Sequence, residues 1–337
     1  MPSPSRMTGG GPVAQWLLHC ADPLEPQSEL PRVPLSPQQV RKLMLKADAH
    51  KVLPATLRHF PISTGDPELE QVRLQANARR IEAFALSTML SYHAEIIVTA
   101  AKTLPVALVK GPVFARHLYP LGLRPFGDID LLAAPEALPQ LASILQAQGF
   151  NRVEEGLDPT RLEDKWVHHE NDVLMVEVHT NLVHSARMRK AFSLTYNDIE
   201  ENVDTSGTLL AIAIMHGAMH YFAWLRHVVD VCQAARALTT ATEESRFELL
   251  ADRTGSRLAA VVGLNLAYRI FGETRCLEIA RALGPTRNFR FARLLIEGAV
   301  ISSTMESAIV YNSWRRFVFR ELLRHGTMAS LANANSS

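Results

Sequence analysis

From Asp66 to about Lys102, apolar residues return at three- and four-residue steps. They are Leu69, Val72, Leu74, Ala76, Ile81, Phe84, Ala85, Leu86, Met89 and Leu90, with charges between them. That period matches one face of an α-helix. Ser36-Pro37 opens an earlier helix, with serine as cap and proline at the first helical position, running to about His50. Residues 13–21 read as a short helix. Between these two, DPLEPQSELPRVPLSP (22–37) holds too many prolines for regular structure and reads as an extended connector.

The pattern changes at Leu104. PVALVK is a short strand-like run bounded by Pro105 and Gly111, and Pro112–Tyr119 reads as helix. GDIDLLAA (127–134) is a second strand, and Pro135–Gln148 a helix that Gly149 ends. FNRVEE, KWVHHE and VLMVEVHT are three further strands, short and rich in Val or aromatics. Strands alternating with helices predict an α/β core. After about Thr208 the chain returns to helix: LLAIAIMHGAMHYFAWLRHVVDVCQAARAL (209–238) is long, apolar and free of proline, and residues 243–284 and 288–325 repeat that character. The expected division is a disordered leader and Pro-rich connector (1–37), an N-terminal helical region (38–103), a core (104–207), a C-terminal helical domain (208–328) and a fraying tail (329–337).

Composition narrows this little. The 337 residues are 47% apolar and 20% charged, as in ordinary globular proteins. The 35 Lys+Arg against 34 Asp+Glu leave +1, so no surface built to coat a polyanion is expected, and long nucleic acid is disfavoured as a partner without being ruled out. Cys20, Cys232 and Cys276 are far apart and odd in number, which suggests neither a disulfide framework nor a thiolate zinc site. The N-terminus lacks a secretory pattern, and no uninterrupted apolar run approaches the roughly 20 residues of a membrane span. A cytoplasmic protein without membrane partners is expected.

The candidate chemistry lies in ALVKGPVFARHLYPLGLRPFGDIDLL, residues 107–132. Asp128 and Asp130 are two apart on a strand, so both carboxylates project from one face while Ile129 and Leu131 point the other way. Paired hard oxygens on rigid backbone suit Mg²⁺. Lys110-Gly111 closes the preceding strand just before a helix, where glycine permits close approach and helix amides favour phosphate. Arg124, four residues before Asp128, either grips a triphosphate through paired N–H donors or holds the loop by pairing with an aspartate. Glu177 sits between Val176 and Val178 in an apolar strand, a costly place for a carboxylate without a metal or another partner. It shares a face with His179.

These residues resemble the uncharacterised nucleotidyltransferase family of the DNA polymerase β-like superfamily. The matching stretches are L-V-K-G (108–111), Y-P (119–120), R-P-F-G-D-I-D-L-L (124–132), Q-G-F (148–150) and V-E-V-H (176–179), followed by M-H-G-A-M-H (215–220) and W-L-R-H-V-V-D (224–230). The resemblance implies an α+β fold, with a small mixed sheet backed by helices. Asp128, Asp130 and Glu177 would bind Mg²⁺, with Mn²⁺ as the alternative, and carry catalysis. Lys110, Gly111 and Arg124 would hold the NTP. A nucleoside monophosphate would pass to an acceptor, a small molecule, peptide or protein, with loss of pyrophosphate. His179, His216 and His220 are candidates for the acceptor pocket. One departure stands out: the superfamily's phosphate turn usually continues with glycine or serine, and here Pro112 follows Gly111. The resulting alternative is a degenerate member that binds a nucleotide or a protein partner without turnover.

Other signals have plainer readings. His216 and His220 are four apart, with His227 near the same face, but Gly217 stands where a zinc protease needs glutamate. Arg226 and Asp230 are spaced for an intrahelical ion pair. RMRK (187–190) reads as a solvated basic loop, and Tyr221, Phe222 and Trp224 as core.

Overall fold

The computed structural model describes residues 11–24, 31–62, 65–153, 163–200, 203–286, 288–302 and 314–326. Residues 1–10 of the expected leader, 25–30 of the Pro-rich connector, 154–155 of the FNRVEE run and the expected tail lie outside these.

Helices come first, where the caps and periodicity put them. Helix α1 spans Pro12–Cys20. Helix α2, Pro37–Ala49, begins in a capping box in which the Ser36 hydroxyl accepts from the Gln39 amide and the Gln39 side chain accepts from the Ser36 amide. A short helix, α3 (Leu53–His59), has no counterpart in the apolar spacing. Helix α4, Pro67–Ala100, is capped by Asp66, whose carboxylate accepts from the Glu68 amide at 2.8 Å. Among the described residues α4 alone is long and apolar enough to cross a membrane, by length and composition only. Here it packs along a sheet.

That sheet has five strands in the order β1-β2-β5-β4-β3: β1 (Val106–Val109), β2 (Ile129–Ala133), β3 (Phe150–Arg152), β4 (Glu163–His168) and β5 (Asn171–His179). It is mixed, because β2 and β5 run parallel while the other pairs are antiparallel. Helix α5 (Gly111–His117) links β1 towards β2, and α6 (Leu138–Ala147) leads to β3 through Gly149, which adopts a φ of 86°.

Strand alternation gives the sheet two unlike faces. Ile129, Leu131, Ala133, Val176 and Val178 are buried against Leu90, Ala94 and Ile97 of α4 and Leu141 and Leu145 of α6. The opposite face carries Asp130, Glu177 and His179. Its apolar members, Ala107, Val109 and Leu132, join a larger core shared by the N-terminal and C-terminal helices. The polar face therefore looks onto the helices that follow the sheet.

Those helices include α7 (Ala186–Arg189), α8 (Tyr196–Ile199), α9 (Ser206–Met219), α10 (Leu225–Ala237), α11 (Ala241–Arg253), α12 (Arg257–Phe271) and α13 (Thr274–Ala282). The long apolar run 209–238 is thus two helices. Tyr221 and Phe222 break it with φ of 58° and 48°, and the Phe222 amide donates to the Gly217 carbonyl at 2.6 Å. No glycine or proline marks the break. The Phe222 ring, fully buried, fills the space left by two glycines, Gly217 and Gly263, where a methyl group would meet it. Burial of that ring offsets the cost of left-handed backbone at bulky residues.

Candidate active site

The site begins with register. Asp130 on β2 is the direct partner of Glu177 on β5, and the next alternate pair sets Leu132 opposite His179. Directly opposed residues share a face, so the strands alone bring Asp130 and Glu177 side by side. Asp128 comes one residue before the start of β2 and is half-buried.

Asp130 is the electrostatic centre. Its Oδ1 lies 2.5 Å from Lys110 Nζ and 2.9 Å from His179 Nε2. Lys110, Asp130 and His179 are all buried. Lys110 occupies the turn between β1 and α5 with a φ of 55°. Burial opposes the charge on Asp130, but Lys110 and the His179 hydrogen bond outweigh it and hold that carboxylate well below its usual range. Burial also works against the Lys110 ammonium, and Asp130 reverses the effect, so its pKa rises.

Glu177 behaves in the opposite way. Burial, followed by the charges of Asp130, Glu163 and Asp128, pushes its carboxyl up to about 8. Asp128 is raised as well, by burial first and Asp130 second. Several carboxylates thus compete for too little positive charge.

Asp130, Glu177 and His179 offer ligand atoms within 4.8 Å of one another. That donor set, with oxygen predominant and Glu177 raised by burial and then by the charge of Asp130, fits a divalent cation. The Lys110 ammonium on Asp130 stands where such a cation would draw the same oxygen.

A second tier surrounds this centre, and sequence reasoning missed it. Glu163 on β4 is the cross-strand partner of His179, and Lys165 that of Glu177. His184 Nδ1 lies 2.8 Å from Glu163. Lys165 stands 3.8 Å from Glu163 and 3.9 Å from Glu177. Glu163 falls to about 2, chiefly through the His184 imidazole beside it. The only signal for Glu163 and Lys165 was their alternate spacing ahead of Trp166; nothing marked His184.

The loop before Asp128 is fixed from two sides. Arg124 donates through Nε to Asp230 Oδ1 at 2.8 Å and through Nη2 to Oδ2 at 2.9 Å, and the Tyr119 hydroxyl donates to the same Oδ1 at 2.5 Å. Of the two arrangements open to Arg124, the structure displays the pairing with an aspartate. Asp230 is consequently engaged by Arg124 and Tyr119 rather than by Arg226, four residues earlier on its own helix. On the other side the Ser87 hydroxyl of α4 accepts from the Phe126 amide at 2.9 Å and donates to the Ala83 carbonyl at 2.7 Å. Gly111 belongs to the same packing, since a Cβ there would approach Phe126 to 3.1 Å.

His216 and His220 lie on α9 and at its end. Their rings are 4.9 Å apart, and that of His227 is 4.8 Å from His216 and 5.2 Å from His220. His220 also stacks on Trp224 at 5.7 Å. Burial, then the charge of Lys110, lowers His220 to about 3; burial, then its histidine neighbours, lowers His216 well below its usual value. All three are neutral at physiological pH. Among the described residues the groups with converging ligand atoms are Asp130–Glu177–His179 and Glu163–His179–His184. The three α9–α10 histidines are not such a group, so the arrangement gives no support to a zinc hydrolase.

A mixed five-stranded sheet with paired acids on neighbouring central strands, closed over by helices, is the architecture of a nucleotidyltransferase. A family model described as an uncharacterised nucleotidyltransferase matches residues 36–272, and the chain belongs to that family. No curated protein and no solved structure gives a match.

Proposed function

We propose that this chain is a metal-dependent enzyme that moves a nucleoside monophosphate from an NTP to a nucleophilic acceptor and releases pyrophosphate. The observation that carries this reading is the direct pairing of Asp130 with Glu177 next to Asp128, with the Glu177 carboxyl raised to about 8. Asp128, Asp130 and Glu177 would hold Mg²⁺ or Mn²⁺. The ion, when bound, supplies positive charge to the phosphate oxygens and to the attacking oxygen.

The chain's own groups do the rest. Lys110, at the turn into α5, shares its ammonium between Asp130 and the incoming phosphates. His179 orients Asp130 through Nε2. As the acceptor oxygen bonds to the α-phosphorus, the bond from that phosphorus to the β-bridging oxygen breaks, and the acceptor's proton passes to Glu177. Arg124 acts indirectly, holding the loop that presents Asp128. His216 and His220, neutral and able to donate or accept, face the reaction from the helical side as an acceptor wall.

The test uses the full chain, each α-labelled NTP and a cell extract as the source of acceptors. Wild type is expected to label a product that Asp130→Asn does not, with both proteins equally folded by circular dichroism. Equal labelling by the two proteins would refute the reading. Pro112 favours one second reading, binding without turnover, because proline at the start of α5 removes an amide that could meet phosphate. Calorimetry showing NTP binding, with no pyrophosphate released in any acceptor screen, would select it.

A further inference from the structure

Arg226 is the second residue of α10, and Asp230 lies one turn further along the same helix face. Both oxygens of Asp230 are already taken, by the two prongs of Arg124 and by Tyr119. Arg226 is left with a backbone bond from its amide to the His50 carbonyl and a ring contact, its guanidinium carbon 5.8 Å from the Trp224 ring centroid. Its Nε is buried with no hydrogen-bond partner.

Three arginines drawn into the fold have carboxylate partners, whereas Arg320 shares with Arg226 a buried Nε without one. Arg124 has Asp230, Arg236 has Asp22 and Glu273, and Arg275 has Glu244. No carboxylate lies within ion-pair distance of Arg226 among the described residues. The groups whose charges it feels or shifts include the cation Arg124, the acid Asp128, the committed Asp230, Tyr119, and the neutral imidazoles of His216, His220 and His227. The Arg124–Asp230 pair ties the Asp128 loop to α10, and His227, the residue after Arg226, has its ring 4.8 Å from that of His216, so Arg226 stands on the stretch of α10 that borders the site. Burial, then Arg124, lowers its pKa to about 10, so it is still a cation at neutral pH.

A half-buried guanidinium whose Nε has no partner, and which meets no carboxylate, costs stability in the chain that carries it. Such a group suits a site whose anion arrives with the ligand. Guanidinium is also the side chain best matched to phosphate, through parallel N–H donors. We propose that Arg226 is the cation that grips the NTP polyphosphate, taking the part that the 124–128 loop alone would suggest for Arg124. This rests on the nucleotidyltransferase reading and adds to it a positioning contact from the helical wall.

The probe is inorganic tripolyphosphate with Mg²⁺, titrated calorimetrically into wild type, Arg226→Met and Arg226→Lys, with thermal melts of each free protein. Wild type is expected to bind. Arg226→Met should weaken binding roughly ten- to a hundred-fold, the size of a lost charge-assisted contact. Arg226→Lys should recover part of that. Free Arg226→Met should melt no lower than wild type, since it loses an uncompensated charge, whereas a purely structural arginine would cost stability. Equal tripolyphosphate affinity in wild type and Arg226→Met overturns the assignment and leaves the nucleotidyltransferase reading standing. A lower melt with unchanged affinity does the same. Absence of tripolyphosphate and NTP binding in wild type overturns both.

Discussion

Arg124 and Asp230, 106 residues apart in sequence, meet in a two-pronged ion pair with distances of 2.8 and 2.9 Å. Both side chains are almost fully buried, at 3% and 1% exposure. The pair ties the loop that presents Asp128 to the face of α10. Ser87 secures the same loop to α4, so Asp128 is positioned by helices from both ends of the chain.

Removing one partner leaves the other charge stranded. Asp230→Ala is expected to cost about 3–5 kcal/mol in urea unfolding, the usual penalty for a buried charge that loses its mate. Replacing both residues, as Arg124→Met with Asp230→Leu, should recover much of that stability but not nucleotidyl transfer, because the loop loses its anchor. A loss below about 1 kcal/mol in the single variant would mean that the pair contributes little to holding the fold.

The acids at the site make the metal-free protein sensitive to pH. Burial, then Asp130, Glu163 and Asp128, raises Glu177 to about 8 from the ordinary 4.5. The folded chain therefore holds this proton more tightly than the unfolded chain. Its stabilising contribution is complete below the unfolded pKa and fades as pH climbs through the folded one. Relative to Glu177→Gln, the metal-free wild type should lose melting temperature as pH climbs between roughly 4.5 and 8, a comparison that cancels the opposite contribution of the buried, neutral histidines. Millimolar Mg²⁺ should raise the wild-type melt most at the alkaline end, by favouring the ionised acid. A wild-type melt that gains on that of Glu177→Gln as pH climbs across this interval, or a difference between the two that is indifferent to Mg²⁺, argues against the arrangement.

The break between α9 and α10 gives a third test. A Cβ at Gly217 would overlap the Phe222 ring. Because that ring is fully buried between Gly217 and Gly263, it has little room to move. Gly217→Ala should destabilise the chain by about 1–3 kcal/mol through overpacking, despite alanine's better helix propensity. A gain in stability would show that the ring yields.

Much of the fold was legible because its signals are local. Ser36-Pro37, Asp66 and Gly149 mark helix ends through bonds and dihedrals of their own neighbourhoods. The alternation in D-I-D and V-E-V-H assigns faces by parity alone, and the structure keeps Ile129, Leu131, Val176 and Val178 on the buried side. The roles of Glu163, Lys165 and His184 were not legible, since each depends on which strand lies beside which. Asp230 teaches the same lesson in reverse. Its spacing from Arg226 suggests a partner four residues away, and the buried geometry supplies Arg124 and Tyr119 instead.

By itself the sequence determined the succession of helices and strands, the face on which each acid stands, and the residue types able to hold a divalent ion. Those follow from backbone periodicity and capping, which act over a few residues. Only the tertiary structure decided that β2 lies parallel to β5 with Asp130 opposite Glu177, that Asp230 belongs to Arg124, and that Phe222 interrupts an otherwise continuous apolar helix. Each of these is a choice between partners far apart in the chain, made by how buried charges are matched and how side chains fill space, and no short window of sequence contains it.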